Sequence, residues 1–539
     1  MLTQLLSFKG RYKILHLTWF AFFLSFVVWF NFPPFATTIQ QEFGLSPQQV
    51  QTIGLCNVAL TVPARILIGM VLDRYGPRLT YSCLLVYSAI PCLIFATAPA
   101  EGGFSQLVVG RLLMGIVGAG FVIGIRMTAE WFPPKEVGTA EGIYGGWGNF
   151  GSAFSAFTMV IFAVILSSII PGAFNFGEPE TFKILFFPSF SSDVLNWRAA
   201  IAGSGIFAAI YGVIYYNNVT NTPPGKVYQR PTSARGMEVT SARDFWFLMA
   251  MNVPLTLILM VLAWRLEKVG FLSNGAMVIA WLALLGLYLF QAYNCWTVNK
   301  DLLAGRKRYP PEDRFKFKQV AILELTYIVN FGSELAVVTM LPAFFEGTFG
   351  LDKATAGIIA ASYAFMNLVS RPGGGIISDR MGSRKWTMVI LTGGMGIGYL
   401  LMGSVNGGWW LPGAILLTMA CSFFVQASEG ATFAIVPLVK RRVTGQIAGN
   451  VGAYGNVGAV AYLTTRLLLT ENFSGGIDPT PEVLASVNAA FFQVLGVAGL
   501  IVAFLCVFFL EEPKDSFAEL HEGEESNYAA APAQVRTNV

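Results

Sequence analysis

The chain carries one long pattern twice. Residues 65–78 and residues 371–384 both fit R-x3-G-x3-D-R-x-G-x-R, and the two copies start 306 residues apart. A second pattern, G-x2-G-x2-G-N-x-G, occupies residues 142–151 and 449–458, starting 307 residues apart. Two unrelated patterns at one spacing mean a duplicated domain, so the fold must be built from two copies of one unit. The first pattern also sets an arginine inside an apolar stretch of each copy, Arg65 and then Arg371.

Of the 539 residues, 54% are hydrophobic and only 12% charged, roughly half the charge of a soluble domain. Runs of about 20 apolar residues, the length a helix needs to cross a hydrocarbon core, follow one another. The chain therefore reads as an all-α polytopic membrane protein. The runs predict a six-helix bundle in residues 1–216 and another in 319–510. A central linker, 217–318, holds two further apolar segments (about 244–264 and 270–294), read as an inserted hairpin beside twelve core spans. Residues 511–539 read as an acidic tail. The first apolar segment is too long for a signal-peptide core and reads as a retained span.

Basic residues crowd one set of loops, at Arg74 and Arg78, Lys135, Arg306 to Arg308, Arg380 to Lys385 and Lys440 to Arg442. That set is expected to be cytoplasmic, with both termini, in a plasma (inner) membrane. A formal charge of +4 is too small to imply a nucleic-acid partner. Six cysteines form no close pair and there are two histidines, so neither a metal site nor a disulfide framework is expected. No nucleophile–base set or cofactor loop is present, which argues against an enzyme and against a cofactor. The short tail is not the appended signalling domain that a sensor would need.

The first pattern supplies Gly69, Asp73, Arg74, Gly76 and Arg78, then Gly375, Asp379, Arg380, Gly382 and Arg384. It resembles the loop motif of the major facilitator superfamily, and Arg111-x3-Gly115 is similar to that superfamily's fourth-helix motif. The second pattern supplies Gly142, Gly145, Gly148, Asn149 and Gly151, then Gly449, Gly452, Gly455, Asn456 and Gly458. It resembles the nitrate signature of the nitrate/nitrite porter family, as does Tyr327-x3-Phe331-Gly332-Ser333. The enlarged centre is similar to that of the cyanobacterial type of nitrate permease. The resemblance implies a major facilitator fold, two bundles related by a pseudo-two-fold axis, with the substrate near the midplane between them. It implies alternating-access transport of nitrate or nitrite, and cavity-shaping roles for Tyr327 and Phe121.

Helical rise gives the depth of the repeated polar residues. Arg65 precedes Asp73 by eight residues, ~12 Å of helix, and Asn149 follows Gly138 by eleven, ~16 Å. Both reach the middle of a hydrocarbon layer roughly 30 Å thick, and by the repeat so do Arg371 and Asn456. A buried arginine there costs at least ~2.5 kcal/mol. The one deep carboxylate in this reading is Glu334, too little to neutralise two arginines. Arg126 with Glu130 reads as a helix-end pair, and Glu429 as a salt-bridge partner near the cytoplasmic end of its span. Arg65 and Arg371 are therefore expected to bind a planar oxyanion with paired donors, helped by Asn149 and Asn456. Asp73, Arg74, Arg78, Asp379, Arg380 and Arg384 are expected to latch the cytoplasmic side when it closes. The signature glycines let helices approach closely. Uptake into a negative interior needs coupling; protons are expected to supply it, with Glu334 as the candidate carrier. Electroneutral nitrate/nitrite exchange and transport of another organic anion are the alternatives. The partners implied are the anion, protons and the lipid bilayer, and a monomer is expected to suffice.

Overall fold

Apolar stretches between polar caps fold into fourteen helical segments of membrane-crossing length. The computed structural model describes residues 4–169, 180–182, 190–192, 196–231, 235–310, 314–475 and 480–513. The first six segments are α1 (Gly10–Phe43), α2 (Pro47–Tyr75), α3 (Pro77–Ala96), α4 (Phe104–Trp131), α5 (Val137–Ile169) and α6 (Trp197–Asn218). The inserted pair is α7 (Ala242–Lys268) and α8 (Asn274–Leu303). The second six are α9 (Phe317–Phe349), α10 (Lys353–Phe365 and Asn367–Arg380), α11 (Arg384–Met402), α12 (Leu411–Val439), α13 (Thr444–Ser474) and α14 (Pro481–Phe509). Ten of the fourteen qualify as membrane spans on length and apolarity alone. The other four are α5, α10, α11 and α13.

Local chemistry sets the helix ends. Ser46 opens α2 with a reciprocal bond to Gln49, and Asp352 and Thr480 cap α10 and α14 through their side chains, each satisfying an otherwise orphaned first-turn N–H. The turn between α2 and α3 places Gly76 at φ +89°, and the matching turn before α11 places Gly382 at φ +72°. Both need a residue without Cβ, which explains that glycine of the first pattern. The strand pairing among the described residues is one short antiparallel pair between α5 and α6, Glu180–Phe182 with Phe190–Ser192.

The two halves meet along two seams, α2 against α13 and α5 against α10. The inserted α7 packs on both α2 and α13, covering one seam, while α8 turns an almost wholly exposed apolar face outward. Residues 217–231 run over one end of the bundle: Lys226 bonds Glu130 (3.2 Å) and the Tyr228 hydroxyl donates to the Leu72 carbonyl (2.9 Å). At the same end Glu511 accepts from Lys316 (2.8 Å), which holds its carboxyl below the usual range, and Glu512 accepts from the Arg384 and Lys385 amides. The tail from 514 onward and most of the 168–195 loop lie outside the described residues.

Candidate substrate site between the halves

Arg65 and Arg371 come from opposite halves and are turned toward the same aromatic rings. The Arg65 guanidinium lies 5.4 Å from the Phe121 ring centre and 5.3 Å from that of Phe331; for Arg371 the distances are 5.9 and 5.6 Å. Phe121, Tyr327 and Phe331 are nearly parallel, with interplanar angles of 3° and 1°, and Phe433 closes them edge-on. Spacing of four residues puts Tyr327 and Phe331 on one helix face. Cations over such faces gain electrostatic stabilisation when desolvated.

Each arginine is set against the glycines of the other half. A Cβ on Gly449 would stand 2.6 Å from the Arg65 carbonyl oxygen, and one on Gly142 would stand 2.6 Å from that of Arg371. One turn on, Gly452 faces the Arg65 side chain and Gly145 that of Arg371. The two repeated patterns are thus two sides of one contact, made twice: the arginine of each half needs the glycines of the other.

The hydrogen bonding is not symmetric. Arg65 donates from Nη1 to the Gly452 carbonyl (2.5 Å) and from Nε to that of Gly118 (3.3 Å), while its buried Nη2 has no partner. No carboxylate pairs with it among the described residues. Arg371 faces two: Glu334 at 3.4 Å, and Glu429 in direct contact with Nη2. Glu334 also accepts from Asn367 (2.6 Å) and Gln426 (3.1 Å). The Arg371 Nε and the Tyr327 hydroxyl are buried without hydrogen-bond partners. Unpaired buried donors are costly.

Two sequence-based expectations change. Glu334 is not the one deep carboxylate, and Glu429 is not near a helix end. Reading that span to residue 435 put Glu429 close to its terminus; α12 instead runs to Val439, leaving Glu429 ~15 Å from that end and fully buried on Arg371. Asn149 and Asn456 do not hold the arginines either. Asn149 donates to Asn367 of the other half (3.4 Å) and Asn456 to the Gly452 carbonyl (3.4 Å), each leaving its side-chain oxygen unpartnered. Phe331, Asn367 and Gln426 join the expected site residues, and Glu429 enters through the salt bridge expected of it. The Tyr327-x3-Phe331 spacing was a usable signal for the first; nothing in the sequence pointed to Asn367 or Gln426.

The latch residues gather at the end covered by the linker. Asp73 of α2 accepts from the Gly445 and Gln446 amides (2.9 Å each), capping α13 of the other half. Asp379 of α10 accepts from the Gly138 amide (3.1 Å) and from the Thr139 amide and hydroxyl (2.6 Å each), capping α5. Carboxylates at helix N-termini are favoured by the exposed N–H groups and the dipole. Arg384 binds Asp379 (2.7 Å) and the Pro134 carbonyl across the seam (2.8 Å). Arg126 binds Glu130 (3.0 Å) and approaches Asp73 (3.9 Å). Arg74 and Arg380 are exposed, and Arg78 bonds within its own half to Tyr216; among the described residues none of these three bridges the seam. Residues 444–460 of α13 are buried without a break.

Two six-helix halves, a doubled loop motif that caps helices across a seam, and polar groups at their interface define a membrane transporter, and the superfamily can be named. The family model for the Major Facilitator Superfamily matches residues 18–297 and 323–538, and the chain belongs to that superfamily. Within it the chain belongs to the nitrate/nitrite porter family, in its cyanobacterial type. It is 77% identical over 534 residues to the nitrate/nitrite transporter NrtP of Picosynechococcus sp., covering 99% of each chain, and 55% identical to NrtP of Nostoc punctiforme, covering 98% of each. Among solved structures it resembles the proton:xylose symporter XylE, with a TM-score of 0.57 at 15% identity over 93% of this chain and 96% of that one, a likeness of fold.

Proposed function

We propose that this chain carries nitrate and nitrite across the plasma membrane by alternating access between its halves. The observation that carries the reading is the pair of guanidiniums from opposite halves, facing the same rings with unpartnered donors. Nitrate and nitrite are planar, singly charged and ionised at physiological pH, and planar donor forks suit them. The anion accepts from Arg65 Nη2, Arg371 Nε and the Tyr327 hydroxyl. The very similar NrtP proteins, described as nitrate/nitrite transporters, support the choice of substrate.

In this reading the latch end, rich in basic residues, is cytoplasmic. Asp73 and Asp379 hold it shut while the anion enters from outside; the halves then rock, the caps release and the anion leaves inward. Importing a monovalent anion against an inside-negative potential costs about 2.3 kcal/mol per 100 mV, so net uptake must be coupled. Glu334 suits that task. It is the looser partner of Arg371, and an anion that displaces it leaves a carboxylate ready to take a proton, whereas Glu429 remains the fixed counter-ion. The test is purified protein in liposomes loaded with nitrite or with buffer, under a controlled pH gradient. Acid outside is expected to drive nitrate into buffer-loaded vesicles. Uptake that requires nitrite inside would replace symport by exchange, and failure to move either anion would defeat the assignment.

A further inference from the structure

Glu141 has no part in the site and belongs to neither repeated pattern. It lies in the first turns of α5, two residues after Thr139, whose amide and hydroxyl hold Asp379. It is 2% exposed, and neither carboxyl oxygen has a hydrogen-bond partner. Thr128 of α4 lies close to it. The Thr128 hydroxyl directs its proton to backbone carbonyls of its own helix, those of Gly124 (2.8 Å) and Ile125 (3.1 Å). A hydroxyl has one proton, so Thr128 offers Glu141 only a lone pair. A hydrogen bond between the two then requires that the carboxyl bring the proton.

The charged groups on the surrounding elements are committed elsewhere. On α4, Arg126 and Glu130 bind each other, and Lys226 of the linker binds Glu130. From α10 and α11, Asp379 and Arg384 form a pair, and Arg371 has Glu334 and, on α12, Glu429. On α1, Arg11 binds Glu136 (2.9 Å), His16 bonds the Leu5 carbonyl and accepts from Trp19, and Lys13 is half-exposed. The other titratable neighbours are phenols: Tyr144 one turn on, with Tyr81 of α3 beside it and Tyr215 of α6 behind. The corresponding position of the second half is Ala448, so the acid serves one latch only.

We propose that Glu141 is a protonation site that ties the Asp379 latch to pH: it holds a proton while the α5–α10 seam is closed and loses it to water on the latch side when the seam opens. The sign follows from linkage. The closed state binds one proton more than the open state, so acid on the latch side favours closure and alkali favours opening, by up to about tenfold per pH unit. In the proposed orientation an acidified cytoplasm holds the transporter shut.

Hydrogen–deuterium exchange of the amides in residues 137–145, followed from pH 5.5 to 8 in the full-length protein, tests the idea. It reads seam opening whatever the transported anion, so it stands or falls separately from the substrate assignment. Glu141→Gln mimics the protonated acid. The ratio of wild-type to variant exchange is expected to rise with pH by up to about tenfold per unit, because the intrinsic pH dependence of exchange cancels. Glu141→Asp should retain the pH dependence, which covers the case of a Gln variant that fails to fold. Thr128→Val removes the acceptor for the carboxyl proton, and should loosen the seam at acid pH. Parallel pH profiles for wild type and the Gln variant, which leave their ratio flat, or a pH dependence lost in the Asp variant, would overturn the proposal.

Discussion

The two halves present the same backbone and different charges. Gly449 stands against the Arg65 carbonyl and Gly142 against that of Arg371 at one and the same distance, 2.6 Å. Yet Arg65 meets no carboxylate among the described residues, while Arg371 meets Glu334 and Glu429. Moving 306 residues back from those two acids leads to Val28 and Ile123, both apolar. The duplicated patterns encode how closely the helices approach, and unduplicated residues decide the charge balance. Among the described residues Arg65 is the uncompensated cation; in the proposed mechanism it makes the first contact with the anion, and Arg371 engages it only by loosening a carboxylate. On that proposal one half would supply affinity and the other coupling.

Lysine in place of each arginine is the strongest way to break the comparison. Arg65→Lys loses the carbonyl bonds and the free Nη2 donor, with no acid to hold the ammonium in place. Hydrogen bonds to a charged group are worth about 1.5–3 kcal/mol, so nitrate uptake at low concentration should fall about 10- to 100-fold. Arg371→Lys keeps two carboxylates around its ammonium and should show a smaller rise in KM with a comparable fall in turnover. Equal effects on KM in initial-rate measurements would erase the asymmetry.

The glycines test the symmetric side. With backbone oxygen at 2.6 Å, a methyl group at Gly142 or Gly449 forces the seam apart, and overpacking of this kind costs about 1–3 kcal/mol. Gly142→Ala and Gly449→Ala should lower the melting temperature of the purified protein by similar amounts. A loss confined to one of them would show that the seams are not equivalent, and the α5–α10 seam, without the inserted α7 over it, would be the one to suspect.

These pairs also show what could be read before any coordinates. The duplication and the fourteen helical segments follow from pattern and spacing, and helical rise sets the expected depth of Arg65, Arg371 and the asparagines. Which side chain meets which does not follow, since it depends on rotation about helix axes that no local pattern reports. Asn149 reaches the right layer yet bonds Asn367 instead of an arginine. Glu429 was misplaced by a helix end only four residues out. Glu141 carries no pattern and became visible only through its unpartnered oxygens and the direction of the Thr128 proton.

The smallest expected difference lies between the latches. Asp379 accepts from two amides and a hydroxyl and is braced by Arg384 at 2.7 Å. Asp73 accepts from two amides, with Arg126 only at 3.9 Å. Replacing a carboxylate at a helix N-terminus by an amide costs about 0.3–1 kcal/mol where it is exposed and up to ~2 kcal/mol where it is partly buried. Asp379→Asn, which also weakens the Arg384 pair and the Thr139 hydroxyl bond, should cost more than Asp73→Asn. Both should shift the population toward the open latch without changing which anion is carried. Labelling of a cysteine placed at Val137 in the α5–α10 seam, and of one at Val443 beside the α2–α13 seam, reads each latch separately. Asp379→Asn should raise labelling at the first site several-fold. If both cysteines respond equally to either substitution, the two latches open as one rigid unit, and the unequal bonding of the aspartates has no consequence for gating.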